Sequence, residues 1–348
     1  MPRTPHRALR TFHLPLAGTL QLAGSVVLTF LGLLFVTFII GRVMPIDPVL
    51  AVVGDRAPAE VYEQARLDLG LHLPLWRQFW IYVQHAVTGD FGYSVLTANP
   101  VLEDIKRVFP ATLELATLAT VIGVACGVPL GVIAAVHRGR WPDQVIRVLG
   151  LVGYSAPIFW LGLMGLLLFY ATLDWVSGPG RLDVAYDYLV EPVTGMLLVD
   201  SLLAGEMAVF RNAFSHIILP ASLLGYFSLA YISRMTRSFM LEQLSQEYIV
   251  TARVKGLSEA RVIWRHALGN VMMPLITVIA LSFASLLEGS VLTEIVFAWP
   301  GLGQYITQAL LNADMNAVLG GTLVVGAVFI GLNLLADLLY RVLDPRAR

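Results

Sequence analysis

Thr112–Val136, TLELATLATVIGVACGVPLGVIAAV, decides the fold class: 25 consecutive residues carry one charged side chain, Glu114. A helix needs about 20 apolar residues to cross roughly 30 Å of hydrocarbon. This run therefore predicts a membrane-spanning helix. Five further stretches approach the same length, at about 22–43, 145–172, 216–234, 272–297 and 317–340. The stretch at 216–234 is interrupted by Pro220, Gly225, Ser228 and Ser233. Membrane helices tolerate such residues where neighbouring helices satisfy the backbone groups left free.

The whole composition agrees with that reading. Hydrophobic residues make up 57% of the 348 and charged residues only 14%, against about 45–50% and 25% in soluble domains. A formal net charge of -1 argues against nucleic acid as a partner. The single cysteine, Cys126, excludes an internal disulfide; inside an apolar run it is expected to be a small buried hydrophobe. Arg3, Arg7 and Arg10 precede the first apolar stretch. That stretch is too long for a signal h-region and no small-x-small cleavage site follows it, so a retained first membrane helix is expected.

Lys and Arg set the expected orientation. With the N-terminus in the cytoplasm, the inner segments hold fifteen of the 23 basic residues, six of them (Arg234, Arg237, Arg253, Lys255, Arg261, Arg265) in one loop. Both termini are then cytoplasmic. Two long segments, about 44–111 and 173–215, fall outside. In the first, Trp76, Phe79, Trp80 and Val83 recur at i, i+3, i+4 and i+7, one apolar helical face. Such a stripe suits a helix at headgroup level; a dock for a soluble partner is the other reading.

The inner loop between the fourth and fifth spans is the most informative. Leu241, Leu244, Tyr248 and Ala252 are spaced 3, 4 and 4, one face of a short amphipathic helix. Lys255-Gly256 reads as its stop, with a cation in the last turn and glycine just past the end. Ser258 is placed to cap a second short helix through about Arg265. The segment therefore predicts an exposed cytoplasmic elbow.

Glu247-Tyr248 through Ala252-Arg253, Lys255-Gly256-Leu257, and His266-Ala267-Leu268 through Asn270 and Pro274 resemble the coupling loop of permeases in binding-protein-dependent ABC importers. Val250-Thr251-Ala252, with Gly256 in register, is similar to the variant used by the dipeptide/oligopeptide/nickel branch. Further fragments resemble that branch along the chain: Pro45-Ile46-Asp47-Pro48, with Ile46 at a glycine position; Leu69-Gly70-Leu71-His72-Leu73-Pro74, with His72 at an aspartate position; Gly89-Asp90-Phe91-Gly92-Tyr93-Ser94; and Thr112-Leu113-Glu114-Leu115-Ala116. So do Thr194-Gly195 through Asp200-Ser201-Leu202, Leu219-Pro220-Ala221, the run from Glu294 to Gly303, and Leu343-Asp344-Pro345-Arg346.

The resemblance is to the first, longer-loop type of the two permeases. It implies an all-α ABC importer type I permease fold with six transmembrane helices in the bacterial inner membrane. An N-terminal region, 1–111, would hold the first helix and an extracytoplasmic segment; a core permease domain, 112–348, would hold five helices and the coupling loop at about 235–268. It further implies a second homologous permease, two ABC ATPases and an extracytoplasmic substrate-binding protein, with peptides, nickel chelates or glycosides as cargo. Glu247, Tyr248, Thr251, Ala252, Arg253, Lys255, Gly256 and Leu257 would form the ATPase-coupling loop.

Ionisable groups within spans are costly and usually face a cavity or a partner. Glu288 and Glu294 are the candidates for the translocation path, Glu114 is a further buried charge, and Asp337 is expected to pair with Arg341 at i+4. The seven histidines form no helical pair, so no metal is expected. A P-loop needs Gly-Lys-Ser/Thr; the two lysines, Lys106 and Lys255, follow Ile105 and Val254. No cofactor is expected in this chain, ATP and Mg being held by partner ATPases, and the chain is expected not to be an enzyme. The rival reading is an ion-coupled secondary transporter, which internal repeats would favour; the two halves show no convincing repeat.

Overall fold

The computed structural model describes residues 16–43, 48–54, 56–68 and 70–343. The expectations placed on Arg3, Arg7, Arg10, Pro45 to Asp47, Leu69 and Asp344 to Arg346 lie outside the described residues, as do the side chains of Asp337 and Arg341. Regular structure among the described residues is helical, apart from one isolated bridge between Tyr93 and Pro100.

In chain order the first helices are α1 (Leu16–Val43), α2 (Pro48–Val53), α3 (Ala59–Asp68), α4 (Leu75–Thr88) and α5 (Val101–Val136). There follow α6 (Trp141–Ser155), α7 (Ile158–Gly165, continued by a π-helical stretch Leu166–Thr172), α8 (Leu197–Leu203) and α9 (Met207–Leu244). The chain then forms α10 (Glu247–Val254), α11 (Glu259–Arg261, continued by a π-helical stretch Val262–Ala267), α12 (Leu268–Gly289), α13 (Val291–Val296), α14 (Leu302–Leu311) and α15 (Met315–Leu343). Among the described residues, five helical stretches are long and apolar enough to cross a membrane: Gly24–Arg42, Val101–Val136, Met207–Leu244, Glu259–Gly289 and Met315–Ala336. A sixth exists if α6 and α7 count as one span.

Three spans differ from the sequence expectation. The expected third span is bent by 99° between α6 and α7. Ala156 sits at ψ 132° because Pro157 excludes the α region for the residue before it. The second span begins eleven residues early, at Val101. Glu103 and Asp104 make its first turn polar, and acidic groups there complement the helix dipole. The fourth span is an unbroken helix of 38 residues, about 57 Å long, running through Pro220.

α5 and α9 form the centre of the bundle through a stripe of glycines. A Cβ on Gly123 would sit 2.4 Å from Ser228 Oγ, and one on Gly131 2.6 Å from the Ser233 carbonyl. Removing those side chains lets two backbones approach closely, the main route to helix association where lipid replaces water. Cys126, on the same helix, is exposed rather than buried: the glycine face turns onto α9 and leaves the thiol outside that contact.

Candidate functional site

The elbow forms at one end of α9. The helix stops at Leu244, Gln246 turns to extended backbone, and α10 begins at Glu247. The single face expected from Leu241 to Ala252 is therefore split, and α10 takes a new phase. Ile249 and Ala252 are buried, while Tyr248 lies outside with its hydroxyl donating to Gln243 Oε1 at 2.9 Å. Ile249 was not among the expected residues; the polar run Ser245-Gln246-Glu247 is the sequence signal for the break that points it inward.

α10 closes as the sequence expects. Gly256 has φ +76°, which glycine adopts without a Cβ penalty. Its N–H donates to the Arg253 carbonyl at 2.9 Å, and the Leu257 N–H to the Ala252 carbonyl at 3.3 Å. That pair of bonds is the Schellman arrangement. Ser258 is extended, but its side chain makes no capping bond. The second helix of the elbow is not a separate short one: α11 runs through the π-helical stretch into α12, as one piece from Glu259 to Gly289.

The elbow thus has an inner and an outer side. Ile249 and Ala252 join Val132, Ile232, Met240, Val262, Val271 and Leu275 in one buried cluster, with Leu257 packed against it. Glu247, Tyr248, Thr251, Arg253, Lys255 and Gly256 are exposed. Arg253 and Glu259 bridge the glycine turn with bonds of 2.9 and 3.2 Å. Apolar contact thus joins α10 to α5, α9 and α12.

A second element, the turn between α5 and α6, lies beside α9. Arg237 donates through Nε and an Nη to the two oxygens of Asp143, at 2.6 and 2.8 Å, and the Gly139 N–H donates to the same carboxylate at 2.9 Å. Asp143 is buried. Sequence reading counted Arg237 only as a topogenic cation and did not find this pair.

At the other end of the bundle, residues singled out from distant parts of the sequence meet. Glu294 is fully buried; its Oε1 accepts from Thr112 and Ser290 hydroxyls at 2.8 and 3.0 Å, and its Oε2 from the Gln304 N–H at 2.9 Å. Thr112 Oγ1 in turn accepts from the Leu302 N–H at 2.8 Å, and Trp299 Nε1 donates to the Ala111 carbonyl at 2.9 Å. Glu114 pairs with Arg181 at 2.6 Å and accepts the Leu198 N–H, also at 2.6 Å. Asp200 accepts the N–H groups of Thr194 and Gly195 at 2.8 and 2.9 Å. These side chains tie α5 to α13, α14 and the 173–206 segment. Glu288, by contrast, is exposed, at a cleft lined by Thr112, Leu287, Ile306 and Phe329.

Among the described residues, no group of three or more His, Cys, Asp or Glu side chains gathers in metal-holding geometry. Buried His216 bonds through Nδ1 to the Asn212 carbonyl oxygen at 2.9 Å.

Comparison with known proteins places the chain. Residues 127–348 match the family described as binding-protein-dependent transport system inner membrane component, and residues 19–116 match the N-terminal region of such membrane components. The probable D,D-dipeptide transport system permease protein DdpB of Escherichia coli (strain K12) is 45% identical over 94% of this chain and 96% of its own length. The di/tripeptide transport system permease protein DppB of Pseudomonas aeruginosa (strain UCBPP-PA14) is 43% identical over 93% and 96%. Among solved structures, a chain of the inward-facing MetNI methionine ABC transporter aligns with a TM-score of 0.49 at 16% identity, covering 67% of this chain and 93% of that one.

Proposed function

This chain belongs to the family of binding-protein-dependent transport system inner membrane components, and we propose that it is the permease subunit of an ATP-driven importer of peptides or related small solutes. The substrate class rests on the dipeptide permeases that it resembles over nearly its whole length. In this reading a second permease completes the path, two ATPases lie against the cytoplasmic elbow and hold ATP and Mg, and a soluble binding protein delivers cargo from outside. Both termini are cytoplasmic.

The observation that carries the mechanism is the two-sided elbow. Its outer side offers Tyr248, Thr251, Arg253 and Lys255 to a protein surface, and its inner side is locked to the ends of α9 and α12. ATP-driven closure of the ATPases displaces α10, and the packed helices follow as rigid bodies, which switches access between the two faces. The elbow does no chemistry. Residues 112–348 act as the core that moves; residues 1–111 supply the first span and part of the outer surface. In this reading Glu288, which is exposed, faces the partner permease and the path between them.

Affinity purification of the tagged chain from mild detergent tests the assembly. A P-loop ATPase pair and a second permease are expected to accompany it, with peptide uptake after reconstitution that depends on ATP and the binding protein. A chain that purifies alone and moves solute on an ion gradient without ATP would overturn the reading.

A further inference from the structure

α4 carries two apolar surfaces, and only one is covered. Phe79 meets the rings of Phe35 and Phe38 on α1 at 5.8 and 5.4 Å, Val83 packs with Leu34, and the Tyr82 hydroxyl donates to Thr37 Oγ1 at 3.0 Å. Trp76, Trp80 and Val87 point elsewhere and are 67%, 59% and 71% exposed. On a helix of 3.6 residues per turn these three fall within about 40° of each other, beside the α1-facing stripe. Arg77, Gln84 and Thr88 occupy the far side and are exposed. The Arg77 guanidinium lies over the Trp76 ring at 5.2 Å.

The contacts with α1 fix the depth of α4. The membrane-crossing window of α1 ends at Arg42, and α4 packs on Leu34 to Phe38. At 1.5 Å per residue, the contact lies about 6–12 Å inside that end. Phe35 is itself 54% exposed and touches Phe79, so the lipid-facing side of α1 continues without a gap onto α4.

We propose that α4 is an interfacial helix bedded in phospholipid, with Trp76, Trp80 and Val87 inserted at the boundary of headgroups and acyl chains and Arg77 reaching the phosphates. Interfacial helices bury an apolar face by about 5–10 Å, tryptophan collects at that boundary, and arginine extends its charge to the polar side from a stem laid along apolar surface. The contact depth matches the first of these and the exposed side chains the other two. With the N-terminus cytoplasmic the leaflet is the outer one; the contact with lipid does not depend on that orientation. The proposal adds a lipid partner to a region that the transport reading leaves as an outer connector.

Tryptophan emission of the assembled complex in liposomes tests it. The difference between the wild type and a W76F/W80F variant isolates these two rings. The expected difference spectrum is blue-shifted, loses intensity in lipids brominated near the carbonyl end of the acyl chain, loses less with bromines near the chain terminus, and is insensitive to aqueous iodide. W76F and W80F taken singly give the same readout if the double variant assembles poorly. Iodide quenching with no effect of bromolipid overturns the proposal. Iodide quenching that disappears on adding the soluble binding protein also overturns it, in favour of a protein-docking face.

Discussion

Arg237 grips Asp143 with two hydrogen bonds of 2.6 and 2.8 Å, fastening the start of α6 to the C-terminal part of α9. A buried carboxylate stripped of its partner keeps its desolvation cost and loses the compensation. R237M is therefore expected to destabilise the chain by about 3 kcal/mol, read as a lower thermal midpoint in detergent. The double variant D143L/R237M should recover most of that loss, because both charges are then gone. Equal destabilisation by the single and double variants would show that the pair is not the cause.

The Arg253–Glu259 bridge is a contrasting case. Both side chains are about half exposed, where ion pairs are worth about 0–1 kcal/mol and are screened by salt. E259Q should leave the thermal midpoint nearly unchanged, and raising the salt should remove what difference remains. A large shift would contradict the half-exposed setting of the pair.

Glu294 holds three donors, from Thr112 on α5 and from Ser290 and Gln304 on either side of it in the chain. E294A leaves them unpaired in a sealed site, at about 1–3 kcal/mol for each group left unsatisfied. E294Q should cost less, since Thr112 and Ser290 hydroxyls can rotate to suit an amide. The thermal midpoints of the two variants, compared with the yield of folded protein, check that order. If E294A folds as well as the wild type yet stops uptake, the carboxylate serves the path instead of the scaffold.

The glycine stripe makes a steric prediction. A side chain at Gly131 would meet the Ser233 carbonyl and the Thr236 Cβ at 2.6 Å, and backbone on a packed helix has little freedom to withdraw. G131V should sharply lower the yield of folded chain, whereas the same change at Gly150, which meets nothing within 4 Å, should be tolerated sterically. Size-exclusion profiles of the two variants provide the comparison.

Hydropathy was a good guide to the number of spans and a poor one to their ends. Charge hid the first turns of α5, since Glu103 to Arg107 look like loop until helix is seen to project beyond the hydrocarbon. Pro220 and its neighbours made α9 look weakest, yet it packs at the centre because its small residues meet the glycines of α5. Pro157 is the visible cause of the α6–α7 bend, although hydropathy alone runs on across it from 145 to 172. In the elbow, the Gly256 turn was legible because a left-handed position has a residue signature. The inward face is misphased by a continuous 3.6-residue period, because the break is marked only by the polar run Ser245-Gln246-Glu247. Arg181, Arg237 and Thr112 lie 67, 94 and 182 residues from Glu114, Asp143 and Glu294, and pairing over such separations leaves no local pattern.

The most direct test of the account is G256V in the reconstituted complex, with peptide uptake and ATP hydrolysis measured on the same liposomes. A β-branched residue at φ +76° strains the turn by about 1–2 kcal/mol and displaces α10 from the surface it presents. The account predicts that the variant inserts and folds, that ATP is still hydrolysed, and that uptake and its dependence on hydrolysis are lost. Uptake at the wild-type rate, still tied to ATP, would contradict it.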